Sequence, residues 1–197
     1  VSLKDLKGKT VILYFYPKDQ TPGCTTEACD FRDNMAAFNK ADATVIGVSR
    51  DSVKSHDNFK KKQGLTFTLG SDEDGKVCEA YGTWIEKSMY GRKYMGIERA
   101  TFLIDGKGVL RQEWRGVKVK GHVAEVLAAA DAGALGNRVL AAGIGHADRP
   151  LGLVDEVGEL GAGTLERRRV DVGDVVRNHL DIELLRTHAG RGYGKGS

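Results

Sequence analysis

Short apolar runs alternate with amphipathic stretches along residues 1–130. Runs rich in β-branched and aromatic residues predict buried strands, and stretches with apolar residues at helical spacing predict helices. The predicted strands are 10–16, 43–49, 67–69, 99–104 and 109–114, and the predicted helices are 25–38, 52–63, 73–81 and 121–130. Strand–helix alternation that ends in a hairpin predicts an α/β sandwich with helices around a central mixed β-sheet.

Two of these elements carry clear end signals. Asp51 or Ser52 can cap the start of the second helix, and Gly64 can end it after Gln63. The sequence of residues 105–108, Asp-Gly-Lys-Gly, is a turn signal between the last two predicted strands.

The composition of the chain changes near residue 131. Residues 1–130 hold 13 of the 14 aromatic residues, whereas residues 131–197 hold one aromatic residue and 13 of the 26 glycines. Because aromatic side chains supply much of the burial in a core, the second segment has little from which to build one. We therefore divide the chain into an α/β domain at residues 1–130 and a Gly-, Ala- and Arg-rich tail at residues 131–197. The tail is expected to be disordered or marginally structured.

Charge and cysteine content narrow the class of protein. The 30 basic and 27 acidic residues give a net charge of +3, which is too balanced to indicate binding to nucleic acid. No run approaches the length of a membrane span, and the first residues do not resemble a signal peptide. The three cysteines are an odd, low count that is typical of a reducing compartment, so a cytoplasmic protein is expected.

Cys24 is the candidate with the clearest chemistry. It follows a predicted buried strand and stands where the first helix begins. A cysteine at a helix N-terminus faces unpaired backbone N–H groups and the positive end of the helix dipole, and both favour the nucleophilic thiolate. Position alone leaves a second interpretation open, in which Cys24 is a small buried apolar residue of the core.

Pro17, Thr21 and Cys24 match the motif Pro-x-x-x-Thr-x-x-Cys of the peroxiredoxin active site. The wider sequence at 14–29, 71–75 and 99–105 resembles the bacterioferritin comigratory protein, or peroxiredoxin Q, group of that family, and the resemblance covers residues 1 to about 130. It implies a thioredoxin-like fold and reduction of hydrogen peroxide and organic hydroperoxides by thioredoxin or a similar dithiol. This group usually has a further stretch before the residue that matches Val1, so we interpret the sequence as truncated at its N-terminus.

The resemblance also implies roles for five residues. Cys24 would be the peroxidatic cysteine and Cys29 the resolving cysteine, which form an intramolecular disulfide. Thr21 would hydrogen-bond the thiolate and the peroxide oxygens, Pro17 would shield the site from water, and Arg99 would stabilise charge on the sulfur and the departing oxygen. We expect no cofactor. We also expect no metal, because no Cys or His pair shows ligand spacing. A monomer that binds neither nucleic acid nor membrane is expected.

The chemistry of peroxide cleavage fits these residue types independently. Attack on an O–O bond builds charge on both oxygens, and pre-set hydroxyl, amide and guanidinium donors stabilise it. Glu27 could orient Arg99, or it could be an acidic first-turn residue favoured by the helix dipole. Cys29 lies five residues after Cys24, about 7.5 Å along a helix and on another face, so a disulfide requires the helix to open locally.

Other polar residues have simpler interpretations. Cys78 is expected to be structural, and Cys29 could also be a small core residue. His56 and His122 are expected at the surface or at helix caps. Residues 89–95 are expected to form a loop beside the site.

Two other functions are compatible with a reactive or buried cysteine. A general thiol–disulfide oxidoreductase would normally show Cys-x-x-Cys, whereas the spacing here is Cys-x-x-x-x-Cys. A chaperone-like or interaction module would keep its thiols inert. Rapid oxidation of Cys24 by peroxide separates the peroxidase from both alternatives.

Overall fold

The structure, a computed structural model, describes residues 3–141 and 183–184. After a short 3₁₀-helix at Leu3–Leu6, the strands are β1 Thr10–Phe15, β2 Ala43–Ser49, β3 Thr68–Ser71, β4 Trp84–Met89, β5 Arg92–Ile97, β6 Ala100–Ile104, β7 Leu110–Trp114 and β8 Glu183–Leu184. The helices are α1 Pro22–Asp33, α2 Met35–Lys40, α3 Val53–Gln63, α4 Lys76–Ala80 and α5 His122–Ala141. This confirms the expected α/β class with a mixed sheet.

The main sheet has the strand order β7-β6-β1-β2-β3-β8. β1 lies near its centre, where it pairs in parallel with β2 and antiparallel with β6. A strand with neighbours on both sides and helices on both faces buries nearly all of its side chains, which explains the apolar run from Val11 to Phe15 in β1. Its C-terminal end at Phe15 leads directly into the segment that carries Cys24.

Alternate residues of β1 supply two core clusters on opposite faces of the sheet. Ile12 and Tyr14 belong to the cluster that includes residues of α1, α2, α3 and α5. Leu13 and Phe15 belong to the cluster that includes residues of α4 and the end of β5. The period-2 alternation of a strand produces this division.

Several boundaries differ from those predicted. The helix expected at 25–38 begins earlier, at Pro22, and is interrupted at Asn34, which ends α1 and precedes α2. Residues 89–95, expected to form a loop, instead belong to the β4–β5 hairpin. The prediction was wrong because most of this hairpin is exposed on both faces, so its apolar residues do not alternate as in a half-buried strand.

The closing helix α5 continues past residue 130 to Ala141. Further along the chain, Glu183–Leu184 forms β8 and pairs antiparallel with Gly70–Ser71 at the edge of the main sheet. The rest of the predicted tail, residues 142–182 and 185–197, lies outside the described residues. The proposed division at residue 131 stays a prediction.

Candidate active site

Cys24 lies in the first turn of α1 and is buried, with 2% of its surface exposed. Thr21 is the N-cap residue, and the amide of Thr25 donates to the Thr21 carbonyl at 2.8 Å as the first bond of the helix. The amides of Gly23 and Cys24 precede that bond, so the helix offers them no carbonyl partner. Pro22 has no N–H to leave unpaired and its fixed φ suits the first helical position. The helix start therefore leaves two amides without a helical partner, and its positive end lies in the turn that carries the thiol.

Arg99 brings a permanent positive charge to the sulfur. Its Nη2 lies 3.2 Å from Cys24 Sγ, and its Nη1 donates to Glu27 Oε2. The Glu27 side chain is fully buried and that of Arg99 is 14% exposed. One guanidinium thus links a thiol and a carboxylate on successive turns of α1, and the planar fork of Arg suits this double contact.

Sheet register explains how Arg99 reaches a residue 75 positions earlier in the chain. Phe15 at the end of β1 pairs with Ala100 at the start of β6. Arg99 precedes β6, so it stands beside the chain that leaves β1 towards Cys24. Of the predicted site residues, the structure brings Cys24 and Arg99 into contact. The hydrogen bond from Arg99 to Glu27 agrees with the first of the two interpretations of Glu27, as the group that orients Arg99.

Thr21 and Pro17 lie on the segment between β1 and α1. The Thr21 hydroxyl donates to the Lys18 carbonyl at 3.0 Å, which leaves its lone pairs able to accept. Pro17 is exposed at the end of β1. Their expected roles towards a peroxide stay predictions.

Cys29 points to a different environment from Cys24. Its Sγ lies 3.8 Å from Gln63 Oε1 at the end of α3, and it is half-buried. Arg32, one turn further along α1, donates to the Gln63 carbonyl. Both cysteines are free thiols in this structure, as geometry requires for two residues five positions apart on an intact helix.

The buried carboxylate of Glu27 has unusual electrostatics. Burial raises its pKa to about 7, against the opposing effect of the Arg99 charge and hydrogen bond. Glu27 Oε1 and the hydroxyl of Tyr14 are buried without a hydrogen-bond partner among the described residues. Burial also raises the pKa of Tyr14, and the nearby Glu27 adds to this effect. The carboxyl can therefore change its protonation state near neutral pH, directly beside Arg99.

The expectation for the two histidines was wrong, because both are buried. His56 is 0% exposed and His122 is 3% exposed. His122 Nε2 lies 2.8 Å from the Thr101 hydroxyl, and burial together with the Arg99 charge lowers the pKa of His122 to about 4. A neutral His122 thus adds no competing positive charge near Arg99. Spacing along the sequence gave no signal for either burial.

Cys78 stands apart from this site, in the core on the other face of the sheet. Its amide donates to Asp72 Oδ2 at 2.8 Å. Burial and the Asp72 carboxylate raise the pKa of the Cys78 thiol, which keeps it protonated. This environment supports the structural interpretation.

The described residues hold neither a metal cluster nor a membrane-spanning helix. Within residues 3–141 and 183–184, no group of three or more His, Cys, Asp or Glu residues is arranged to hold a metal ion. None of the helices in this part of the chain combines the length and the apolar character needed to span a membrane.

The sequence and the fold are similar to those of known proteins. Residues 1–113 match the model of the AhpC/TSA family. A putative peroxiredoxin bcp of Coxiella burnetii is 61% identical over 127 residues, which cover 64% of this chain and 84% of the relative. Peroxiredoxin Bcp of Bacillus subtilis is 58% identical over 127 residues, covering 64% of this chain and 81% of the relative.

Solved structures agree with these relatives. Peroxiredoxin Q of Xanthomonas campestris is similar with a TM-score of 0.66 and 53% identity, over 68% of this chain and 85% of the other. The bacterioferritin comigratory protein of the same organism, studied for its alkyl peroxide reduction activity, has a TM-score of 0.65 and 52% identity over the same shares. The expected thioredoxin-like fold is thereby confirmed. The thiol at the start of α1, the guanidinium beside it and these similarities lead to one conclusion: the chain belongs to the AhpC/TSA family, within its Bcp and peroxiredoxin Q peroxidases.

Proposed function

We propose that this thiol peroxidase works through Cys24 as the peroxidatic cysteine and Cys29 as the resolving cysteine, with Arg99 as a donor to the reacting oxygens and Thr21 as a hydrogen-bond partner of the peroxide. The observation that carries the proposal is the 3.2 Å contact between Arg99 Nη2 and Cys24 Sγ at the N-terminus of a helix. Two sources of positive potential then act on one sulfur: the guanidinium of Arg99 and the helix N-terminus with its unpaired amides.

The first step is attack of the Cys24 thiolate on the terminal oxygen of a hydroperoxide. An S–O bond forms, the O–O bond breaks, and the electron pair leaves on the departing oxygen, which takes up a proton to give an alcohol or water. Cys24 becomes a sulfenic acid. Arg99 stabilises the negative charge as it passes from sulfur to oxygen, because its donors are already in place before the reaction.

The second step joins Cys24 to Cys29. The Cys29 sulfur attacks the sulfenic sulfur, water leaves, and a disulfide remains. An external dithiol then supplies two electrons and two protons, restores both thiols and becomes a disulfide itself. We propose thioredoxin or a similar protein as this reductant, a monomer as the working form, and a reducing compartment such as the cytoplasm as its location. The odd, low number of cysteines supports the last point.

Peroxide consumption by the full chain with thioredoxin and its reductase tests the proposal. Cys24→Ser is expected to abolish turnover, and Cys29→Ser is expected to permit one oxidation of Cys24 but no sustained thioredoxin-dependent turnover. Peroxide consumption by Cys24→Ser above that of a heat-denatured sample would show that another group reacts. Full turnover of Cys29→Ser would show that the Cys24 sulfenate is reduced directly by an external thiol.

A further inference from the structure

Asp19 and His56 form a buried pair that none of these steps uses. Asp19 lies between β1 and α1, five residues before Cys24, and is 5% exposed, whereas His56 lies on α3 and is 0% exposed. His56 Nδ1 is 2.9 Å from Asp19 Oδ2, and His56 Nε2 is 3.2 Å from the Gly70 carbonyl oxygen in β3. Because a carbonyl oxygen can only accept, Nε2 carries a proton and donates it.

The carboxylate of Asp19 also accepts from two hydroxyl groups. Tyr16 donates to Oδ1 and Ser55 donates to Oδ2, each at 2.7 Å. Burial raises the pKa of Asp19, but the hydrogen bonds from His56, Tyr16 and Ser55 outweigh it and leave that pKa below its ordinary value. Every polar atom of the buried pair is therefore hydrogen-bonded.

A strained residue follows the pair directly. Gln20 has a φ of 58°, the left-handed conformation that side chains other than glycine rarely adopt. Such a conformation persists only where neighbouring structure holds it. On one side the Asp19 amide donates to Asp51 Oδ2 at 2.8 Å, in addition to the side-chain bonds of Asp19. On the other side stands Thr21, the N-cap of the helix that carries Cys24.

We propose that Asp19 and His56 are positioning residues for the peroxidase reaction, which fix the segment 17–21 to α3 and β3 and thereby hold Thr21 and Cys24 in the arrangement that reacts with peroxide. The inference rests on the proposed role of Cys24. A buried polar pair gives weak net stability compared with apolar residues, whereas loss of one partner leaves the other buried without its hydrogen bond. The pair is therefore suited to specify one conformation of a strained segment.

The test measures two reactions of Cys24 in Asp19→Asn, His56→Gln and the double variant. Oxidation by hydrogen peroxide, followed by stopped flow, is expected to slow by about 10²-fold in each single variant, the scale of a misplacement of about 1 Å. Alkylation of Cys24 by iodoacetamide is expected to become faster, because a loosened segment exposes a thiol that is 2% exposed in the parent. The double variant is expected to be no slower with peroxide than the slower single variant, since the two residues act as a unit.

Two control variants separate positioning from general damage. Phe38→Leu alters a fully buried core residue of α2, and Asp57→Asn removes an exposed charge next to His56. Both are expected to leave the two rates close to those of the parent, with unfolding free energies measured for every variant. Three results would each overturn the inference: parent-like peroxide rates in both single variants, slowing of both reactions together, or additive losses of peroxide rate in the double variant. In that case an inactive Cys24→Ser would still uphold the proposed function, and an active Cys24→Ser would overturn the function itself.

Discussion

Formation of the Cys24–Cys29 disulfide is expected to unwind the start of α1. On an ideal helix, residues five apart differ by about 7.5 Å in rise and about 140° in direction, so their Cα atoms lie about 8.6 Å apart. A disulfide needs Cα atoms about 4.4–6.8 Å apart with converging Cβ atoms. The Cα atoms of Cys24 and Cys29 must therefore approach each other by at least about 2 Å, and one of the two side chains must turn towards the other. The helical turn between them cannot survive this change.

Unwinding breaks specific hydrogen bonds at the start of α1. The bond from the Thr25 amide to the Thr21 carbonyl is expected to open, and Cys29 is expected to leave Gln63. Because Glu27 lies between the two cysteines, its hydrogen bond with Arg99 is expected to break as well. We therefore expect the oxidised site to be open to attack by a dithiol, whereas the reduced site keeps Cys24 and Arg99 together.

Hydrogen exchange detected by mass spectrometry tests this expectation. Amides of residues 24–30 should exchange at least about tenfold faster in the disulfide form than in the dithiol form, equivalent to about 1.4 kcal/mol less protection. Amides of the central strand β2 Ala43–Ser49 serve as the internal control and should not change. Equal protection of residues 24–30 in both forms, with the disulfide confirmed by peptide mapping, would refute the reasoning.

Three further predictions concern Arg99, Glu27 and Cys78, and four variants test them. Arg99→Met is expected to slow oxidation of Cys24 by about 10²-fold in stopped-flow measurements. Arg99→Lys should not restore the rate, because one ammonium cannot serve Cys24 and Glu27 together as the guanidinium fork does. A parent-like rate in either variant would contradict the role of Arg99. Glu27 has a folded-state pKa raised from 4.5 to about 7, so its neutral form stabilises the fold below about pH 4.5 and this contribution is lost as the pH rises through 7. At 1.36 kcal/mol per pKa unit, the unfolding free energy of the parent should fall by about 3 kcal/mol relative to that of Glu27→Gln between pH 4.5 and pH 8. Denaturant titrations measure both free energies, and a difference between parent and variant that does not change with pH would exclude the raised pKa. Cys78→Ala should keep peroxidase turnover within about threefold of the parent, because loss of a buried, protonated thiol mainly removes packing. A peroxide-induced disulfide that contains Cys78 would contradict its structural role.

Elements with complete local signals could be predicted closely from the sequence. Strand β2 spans the predicted residues 43–49. Helix α3 ends at Gln63 as expected, with the Ser52 side chain accepting from the Ser55 amide and Gly64 in the left-handed conformation. In both cases the information lies within the segment itself: a β-branched apolar run in one, and a capping residue with a glycine stop in the other.

Features set by distant residues could not be predicted in the same way. A histidine among charged residues of α3 looks like a surface residue, yet His56 is buried because Asp19, 37 positions earlier, meets it across the fold. Similarly, nothing near residue 130 indicates that α5 continues to Ala141, since glycine within it argues locally for an earlier end. The β4–β5 hairpin was missed because its residues bury little on either face.

The site around the reactive thiol depends on both local sequence signals and contacts with distant residues. The motif around Cys24 is contiguous, so a strand end, an N-cap and a helix start can be predicted from a dozen residues. The charge that faces the sulfur comes from Arg99, and only the antiparallel pairing of β1 with β6 places it there. Glu27 connects the local and the distant parts of the site, because it lies on the same helix as Cys24 and fixes the guanidinium of Arg99. Burial also raises the pKa of Glu27. A change that breaks the helix start therefore separates the thiol, the guanidinium and the carboxylate in one event, and oxidation to the Cys24–Cys29 disulfide requires such a change.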